Sequence, residues 1–277
     1  MRGIHDHQSD TKSLAVNSLV STNTRSTVSV VMPLFNEEAV ISTFLHSLKI
    51  SFEHFELNVT KFICVDDKST DSSVESLNVL VSSGFPLEIR TNLVNLGHGP
   101  TTIRALLSGL DSNTDFVLAI DGDAQFNSKE VAEACKFAVE NDFDVIECKR
   151  VNREDPIFRK IVSFLTRVLI FLRTHQIVAD ANTPLRIYKR TFLLEVLTQI
   201  PTMSLVPNLH MSCISRSTNY ETGTFSVSFS QKSSGEASTM FGRAKRGYLP
   251  SSRFIKFCYR ASFEWISSSR LLNNFKK

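Results

Sequence analysis

Between residues 28 and 150, short β-branched runs alternate with longer segments whose apolar residues recur at helical spacing. That alternation restricts the chain to βαβ units, and so to an α/β fold with a mostly parallel central sheet and helices on both faces. Residues 28–34 (VSVVMPL) read as a buried strand, and 37–52 as a helix with Val40, Ile41, Phe44, Leu45 and Leu48 on one face. Further strands fall at 61–65, 87–90, 116–120 and 144–148. Helices at 71–81, 99–110 and 128–140 separate them, the last with Ser128 as its N-cap. Beyond Arg150 the rhythm changes. A long helix with apolar and basic faces spans 156–173, a short strand 186–188, and helices 191–197 and 207–216. Residues 224–229 alternate in the manner of an antiparallel strand, and 235–247 are polar, basic and bounded by glycine. The chain thus divides into a flexible tail (1–27), one domain (28–250) whose halves meet at residue 150, and a basic amphipathic C-terminal helix (251–277).

Composition removes several function classes. At 277 residues and 42% hydrophobic, the chain can bury a substantial core, so a fibrous or wholly disordered protein is excluded. A net charge of +3 is too small to point to a nucleic-acid partner. The cysteines (Cys64, Cys135, Cys148, Cys213 and Cys258) show no C-x-x-C spacing, which argues for reduced thiols in a cytoplasmic protein. The N-terminal residues carry no apolar core of a signal peptide, and no run approaches the ~20 apolar residues of a membrane span. The expected location is therefore cytoplasmic, with the inner face of the membrane as the alternative.

Ligands of open α/β sheets sit beyond the carboxyl ends of the strands. Acidic clusters fall there in this chain: Asn36-Glu37-Glu38 after the first strand, Asp66-Asp67 after the second and Asp121-Gly122-Asp123 after the fourth. A single carboxylate in such a place is ordinarily a helix cap. Several converging on one edge are costly unless a cation or a hydrogen-bonded ligand offsets them. Asp121 and Asp123, with the amide of Gln125, form a hard oxygen set suited to Mg²⁺ or Mn²⁺ shared with substrate phosphates. Gly122 is small enough to let a ligand reach the backbone. The turn Asn95-Leu96-Gly97-His98-Gly99-Pro100 opens a helix whose N-terminus offers N–H groups to an anion, although an ordinary strand-to-helix turn has the same composition. There is no P-loop.

In this order and spacing, VVMPLFNEE, VDDKSTDSS, NLGHGPTTIRALLSGL, AIDGDAQFNSKEV and DANTPLRIYKR resemble glycosyltransferase family two, and within it the dolichyl-phosphate mannose synthases and their bacterial relatives. The resemblance runs from Val28 to about Gly247. It implies a GT-A fold, a nucleotide-sugar donor and a divalent metal. By the same resemblance, Pro33, Phe35 and Glu37 cradle base and ribose, and Asp66, with Asp67 beside it, contacts the base. Asp121, Asp123 and Gln125 take the metal and diphosphate positions, and Arg150 faces the phosphates. Lys232, in KSSGEAS, stands where relatives carry Arg in a loop that closes over donor and acceptor. Lysine keeps that charge but loses the bidentate fork. Ser238 stands where mannose synthases carry Lys, a departure from the mannose-specific pattern.

The implied chemistry is inverting displacement at the anomeric carbon, with a polyprenyl phosphate or a glycan as acceptor. A phosphate attacks unaided, whereas a hydroxyl needs a base. Asp180 is the candidate base; pairing with Arg186 is its structural alternative. A nucleotidyltransferase would carry a glycine- and basic-rich loop where this chain has LFNEE, and a nucleotide-sugar-binding protein without activity would not need every acidic position filled. The C-terminal segment sets Phe254, Ile255, Phe257, Trp265 and Leu271 among Arg253, Lys256, Arg260, Arg270, Lys276 and Lys277. It reads either as a peripheral membrane helix or as a helix docked on the sheet.

Overall fold

The computed structural model describes residues 26–152, 157–230 and 252–267. Residues 1–25 of the expected tail, the segment holding Lys232 and Ser238, and Arg270, Leu271, Lys276 and Lys277 lie outside them.

Seven strands form one sheet in the order β3-β2-β1-β4-β6-β5-β7. They are β1 (Thr27–Leu34), β2 (Asn58–Asp66), β3 (Leu87–Thr91), β4 (Phe116–Ala119), β5 (Val145–Val151), β6 (Arg186–Lys189) and β7 (Thr222–Ser228). β1, β2, β3 and β4 run parallel, as the βαβ alternation requires. β6 is antiparallel to both β4 and β5, so it wedges between the two halves.

The period-2 strand pattern distributes side chains to two apolar layers. Val28, Val30, Met32 and Leu34 of β1 join one cluster with α1 (Ile41–His54), α2 (Ser73–Ser82) and α4 (Ser128–Glu140). Val31 joins the other, with α3 (His98–Asp111), α5 (Ile157–Thr174), α6 (Arg190–Val196) and α7 (Pro207–Ser217). A short 3-10 turn, Leu197–Gln199, follows α6. All five cysteines are free thiols.

Three local expectations change. The first helix starts at Ile41 rather than residue 37, because Asn36 adopts φ 57° and the Glu37 and Glu38 amides bond to Ser73, the first residue of α2, and to Asp71 just before it. The cap of α4 is Asn127, whose side chain accepts from the Lys129 and Glu130 amides; Ser128 is the first helical residue. β7 pairs parallel with β5, not antiparallel. Its alternation reports one buried face, with Val227 inward, and carries no information on direction.

The C-terminal helix α8 (Ser252–Ser267) docks on the second layer. Phe254 and Trp265 are buried, and the Arg173 guanidinium lies 4.1 Å over the Trp265 ring. Glu264 accepts from Ser204 Oγ, from the Leu205 amide at 2.9 Å and pairs with His210 Nε2 at 3.1 Å. Two of the residues expected to face a membrane thus point inward.

Candidate active site

The carboxyl ends of β1, β2 and β4 are adjacent, with Leu34 in register with Asp66. Hydrogen bonds join the loops that leave β1 and β2. The Asn36 amide donates to Ser69 Oγ at 2.9 Å, the Thr70 amide to Asn36 Oδ1 at 2.8 Å, and the Ser72 amide to Glu38 Oε2 at 2.7 Å. Pro33 is buried at the end of β1, and Phe35 and Glu37 are half-buried at the rim.

Asp66 and Asp67 have different duties. Asp66 is buried and accepts from the Ser69 amide at 3.2 Å, turning its own loop. Asp67 receives Asn92 Nδ2, the Leu96 amide and the Gly97 amide, each at 2.8 Å. Its carboxylate therefore clamps the turn that starts α3. Arg104 holds the other side of Asn92 at 2.7 Å. The sequence reading placed Asp67 beside the base-contacting Asp66 but missed this clamp; the Asn and Gly pair downstream was its signal.

Gly97, at φ 87°, aims α3 at the third cluster, bringing His98 Nε2 to 3.9 Å from Asp121 Oδ1. The next residue needs to be glycine for a different reason: a Cβ at Gly99 would lie 2.3 Å from the Ser204 carbonyl oxygen. Desolvation lifts the Asp121 carboxyl above the usual aspartate range, against the pull of His98 and Arg150. Gly122 turns toward the core, where a Cβ would sit 3.0 Å from Leu34 Cβ, so its smallness serves packing against β1. Asp123 Oδ1 accepts the Gln125 amide at 3.3 Å, and Gln125 Nε2 donates to the Ser230 carbonyl at 2.9 Å, tying the turn to the end of β7.

Among the described residues, no three His, Cys, Asp or Glu side chains gather into a metal cage. Asp121 and Asp123 fit the other mode, in which one or two carboxylates hold Mg²⁺ or Mn²⁺ and nucleotide phosphates complete the shell. Burial that disfavours a bare negative charge at Asp121 suits a site that a cation completes.

Arg150, near the end of β5, meets Asp180 in a fork: Nε to Oδ2 at 2.7 Å and Nη2 to Oδ1 at 3.0 Å, with both side chains about nine-tenths buried. The same guanidinium lies 5.2 Å over the Phe229 ring. Arg186 feels the Asp180 charge but makes its close ion pair elsewhere. It pairs with Glu147 at 2.8 Å and donates to the Ala181 and Thr183 carbonyls at 2.8 and 3.1 Å, fixing the loop that carries Asp180. Arg216 and Ser212 complete the bonding of the Glu147 carboxylate. This buried Arg–Glu–Arg triad was invisible in the sequence.

A parallel sheet with a reversed strand beside a D-x-D turn defines a nucleotide-diphospho-sugar transferase architecture, the GT-A fold. The chain matches the profile of Glycosyl transferase family 2 over residues 29–197, and it belongs to that family. It is 32% identical over 170 residues to an undecaprenyl-phosphate 4-deoxy-4-formamido-L-arabinose transferase of Photorhabdus laumondii, covering 59% of this chain and 49% of that one. To the protein of the same name in Serratia proteamaculans it is 28% identical over 195 residues, covering 70% and 58%. The chain spans only about half to three-fifths of the length of these curated relatives. Among solved structures, glucosyl-3-phosphoglycerate synthase of Mycobacterium tuberculosis, crystallised with Mn²⁺, UDP and glucosyl-3-phosphoglycerate, superposes with a TM-score of 0.59 at 15% identity, over 89% of this chain and 81% of that one. A mannosyltransferase of Pyrobaculum calidifontis with GDP-Man and Mn²⁺ gives 0.53 at 16%, over 91% and 74%. The narrower likeness to the dolichyl-phosphate mannose synthase branch finds no support among these relatives.

Proposed function

We propose that the protein is an inverting, metal-dependent glycosyltransferase that moves a sugar from a nucleoside diphosphate to a polyprenyl phosphate, in the service of a cell-envelope polysaccharide. The nucleoside lies over the joined β1 and β2 loops, between Phe35, Glu37 and Asp66. The diphosphate lies against Asp121, Asp123 and the N-terminus of α3. A divalent cation there would neutralise charge developing on the leaving nucleoside diphosphate. Arg150 supplies a fixed positive charge on the same side, and Lys232 is proposed to add a second from its loop. Charge stabilisation of this kind is commonly the largest catalytic contribution.

The observation that carries the choice of acceptor is the Arg150–Asp180 fork. Both Asp180 oxygens engage the guanidinium, so the carboxylate serves to hold Arg150 rather than to take a proton from a sugar hydroxyl. A lipid phosphate is already anionic and needs no such base. The names of the relatives point the same way.

Transfer from UDP-, GDP-, dTDP- and CDP-sugars to undecaprenyl phosphate in detergent, with Mn²⁺, tests the reading. Asp180→Asn should keep the shape of the pH–rate profile and lose turnover only through a looser Arg150. A general base would instead cost about 10²–10⁴-fold and remove the acid limb of the profile. That outcome, or transfer to a soluble glycan in place of the lipid, refutes the proposal.

A further inference from the structure

We propose that the outward faces of α5 and α8 form a lipid-binding surface that lays the protein on an anionic bilayer, with α5 beside the loop that carries Asp180; the inference deepens the polyprenyl-phosphate reading and rests on it. α5 buries Ile170 and turns the opposite side to solvent. Ile161, Phe164, Leu165 and Leu172 are exposed there, Phe164 by 57% and Leu172 by 66%, at spacings that put them on one stripe. α8 repeats the arrangement. Phe254 and Trp265 face the core, while Ile255, Tyr259, Phe263 and Ile266 face outward, Tyr259 exposed by 75%. Soluble surfaces scatter large apolar side chains singly, and ordered stripes of them mark an interaction face.

The charge around the stripes selects the partner. The sequence of α5 has no Asp or Glu, and the exposed Lys160 and Arg167 flank its stripe. On α8 the exposed Lys256 and Arg260 lie beside the stripe, and the acidic residue of that helix, Glu264, is turned inward to Ser204, Leu205 and His210. An apolar centre with a cationic rim matches acyl chains beneath anionic headgroups. A second copy of the chain would set the same cationic rims against each other.

The surface also adjoins the site. Asn182, two residues past Asp180, donates to Thr166 Oγ1 of α5 at 3.2 Å. The helix that bears the stripe is thereby tied to the loop that holds Arg150, where a lipid phosphate would arrive.

The test compares sedimentation of the full chain with phosphatidylglycerol-rich and with phosphatidylcholine vesicles at low and high salt. The wild type should bind the anionic vesicles and release them as salt rises. Phe164→Asp/Leu172→Asp on α5 and Tyr259→Asp/Phe263→Asp on α8 should each weaken binding about tenfold or more without lowering the melting temperature, since these side chains are already exposed. Unchanged vesicle binding in both variants overturns the proposal, as does failure of the wild type to bind. A variant that only turns a dimer into a monomer assigns the face to a second copy and overturns it too. Transfer to a short-chain prenyl phosphate in detergent separates the two readings. Binding lost with transfer intact supports the surface, whereas wild-type vesicle binding with no transfer to any prenyl phosphate refutes the activity alone.

Discussion

Replacing Glu147 by Gln removes the carboxylate that Arg186 and Arg216 share inside the protein. Arg186 is fully buried and Arg216 nearly so, and neither guanidinium can reach water without moving α7 or β6. Deleting one partner of a buried ion pair costs about 3–5 kcal/mol, because the remaining charge is left uncompensated. At about 2–4 °C per kcal/mol for a domain of this size, the melting temperature should fall by about 6–20 °C. The acid dependence should change as well. Burial pushes the Glu147 carboxyl up, and the guanidiniums of Arg186 and Arg216, with the hydrogen bonds from Arg216 and Ser212, more than reverse this, leaving it below the usual glutamate range. Its stabilising contribution is complete above the unfolded-state value, about 4.3, and is lost as pH falls through the lower folded-state value. Calorimetric melts from pH 7 down to 3 should therefore show a steeper acid decline for the wild type than for Glu147→Gln. A control replaces the whole triad by apolar residues, Glu147→Leu with Arg186→Met and Arg216→Leu. It should recover much of the stability but not turnover, since Ala181 and Thr183 then lose the donor that fixes the Asp180 loop. A drop of less than about 2 °C in Glu147→Gln, under 1 kcal/mol by the same conversion, would refute the reasoning.

Asp123→Ala should abolish the Mn²⁺-dependent rise in melting temperature caused by nucleoside diphosphates while the apo fold melts unchanged; turnover within a few-fold of wild type would remove Asp123 from the metal site. Arg150→Lys keeps the charge but loses the fork to Asp180, worth about 1.5–3 kcal/mol for hydrogen bonds between charged groups, so turnover should fall about 10- to 150-fold in a steady-state assay. Gly99→Ala drives a Cβ into the Ser204 carbonyl, and should cost about 1–3 kcal/mol in chemical denaturation and weaken nucleotide binding by displacing His98 from Asp121.

What could be read in advance had a period or a turn residue to announce it. The alternating runs gave β1 to β5 and their helices because a buried parallel strand and an amphipathic helix leave different spacings. The acidic strand ends converged because parallel order brings their termini to one edge. Direction was lost at β7, since inward Val227 alternates the same way in either orientation. Partnerships between distant charges were lost throughout. Nothing in the sequence near Asp180 distinguishes Arg150, 30 residues upstream, from Arg186, six downstream; only the bend of β6 back along β5 settles it. Glu147 looked like any strand glutamate because its partners are 39 and 69 residues away. In the C-terminal helix, apolar residues occupied both the docked and the outward side, so their types alone could not tell Trp265 from Phe263.

The bonds that lace the β1 and β2 loops together are made by the protein's own side chains and amides, from Asn36 with Ser69 and Thr70 to Glu38 with Ser72. Binding loops elsewhere lose freedom when a ligand settles and give back part of the affinity in doing so. This floor has already surrendered that freedom during folding. Were the nucleoside to lie there as proposed, its capture would be an encounter with a rigid mould, with little loss of backbone entropy to offset its heat, and a base of the wrong outline would meet a surface that does not yield.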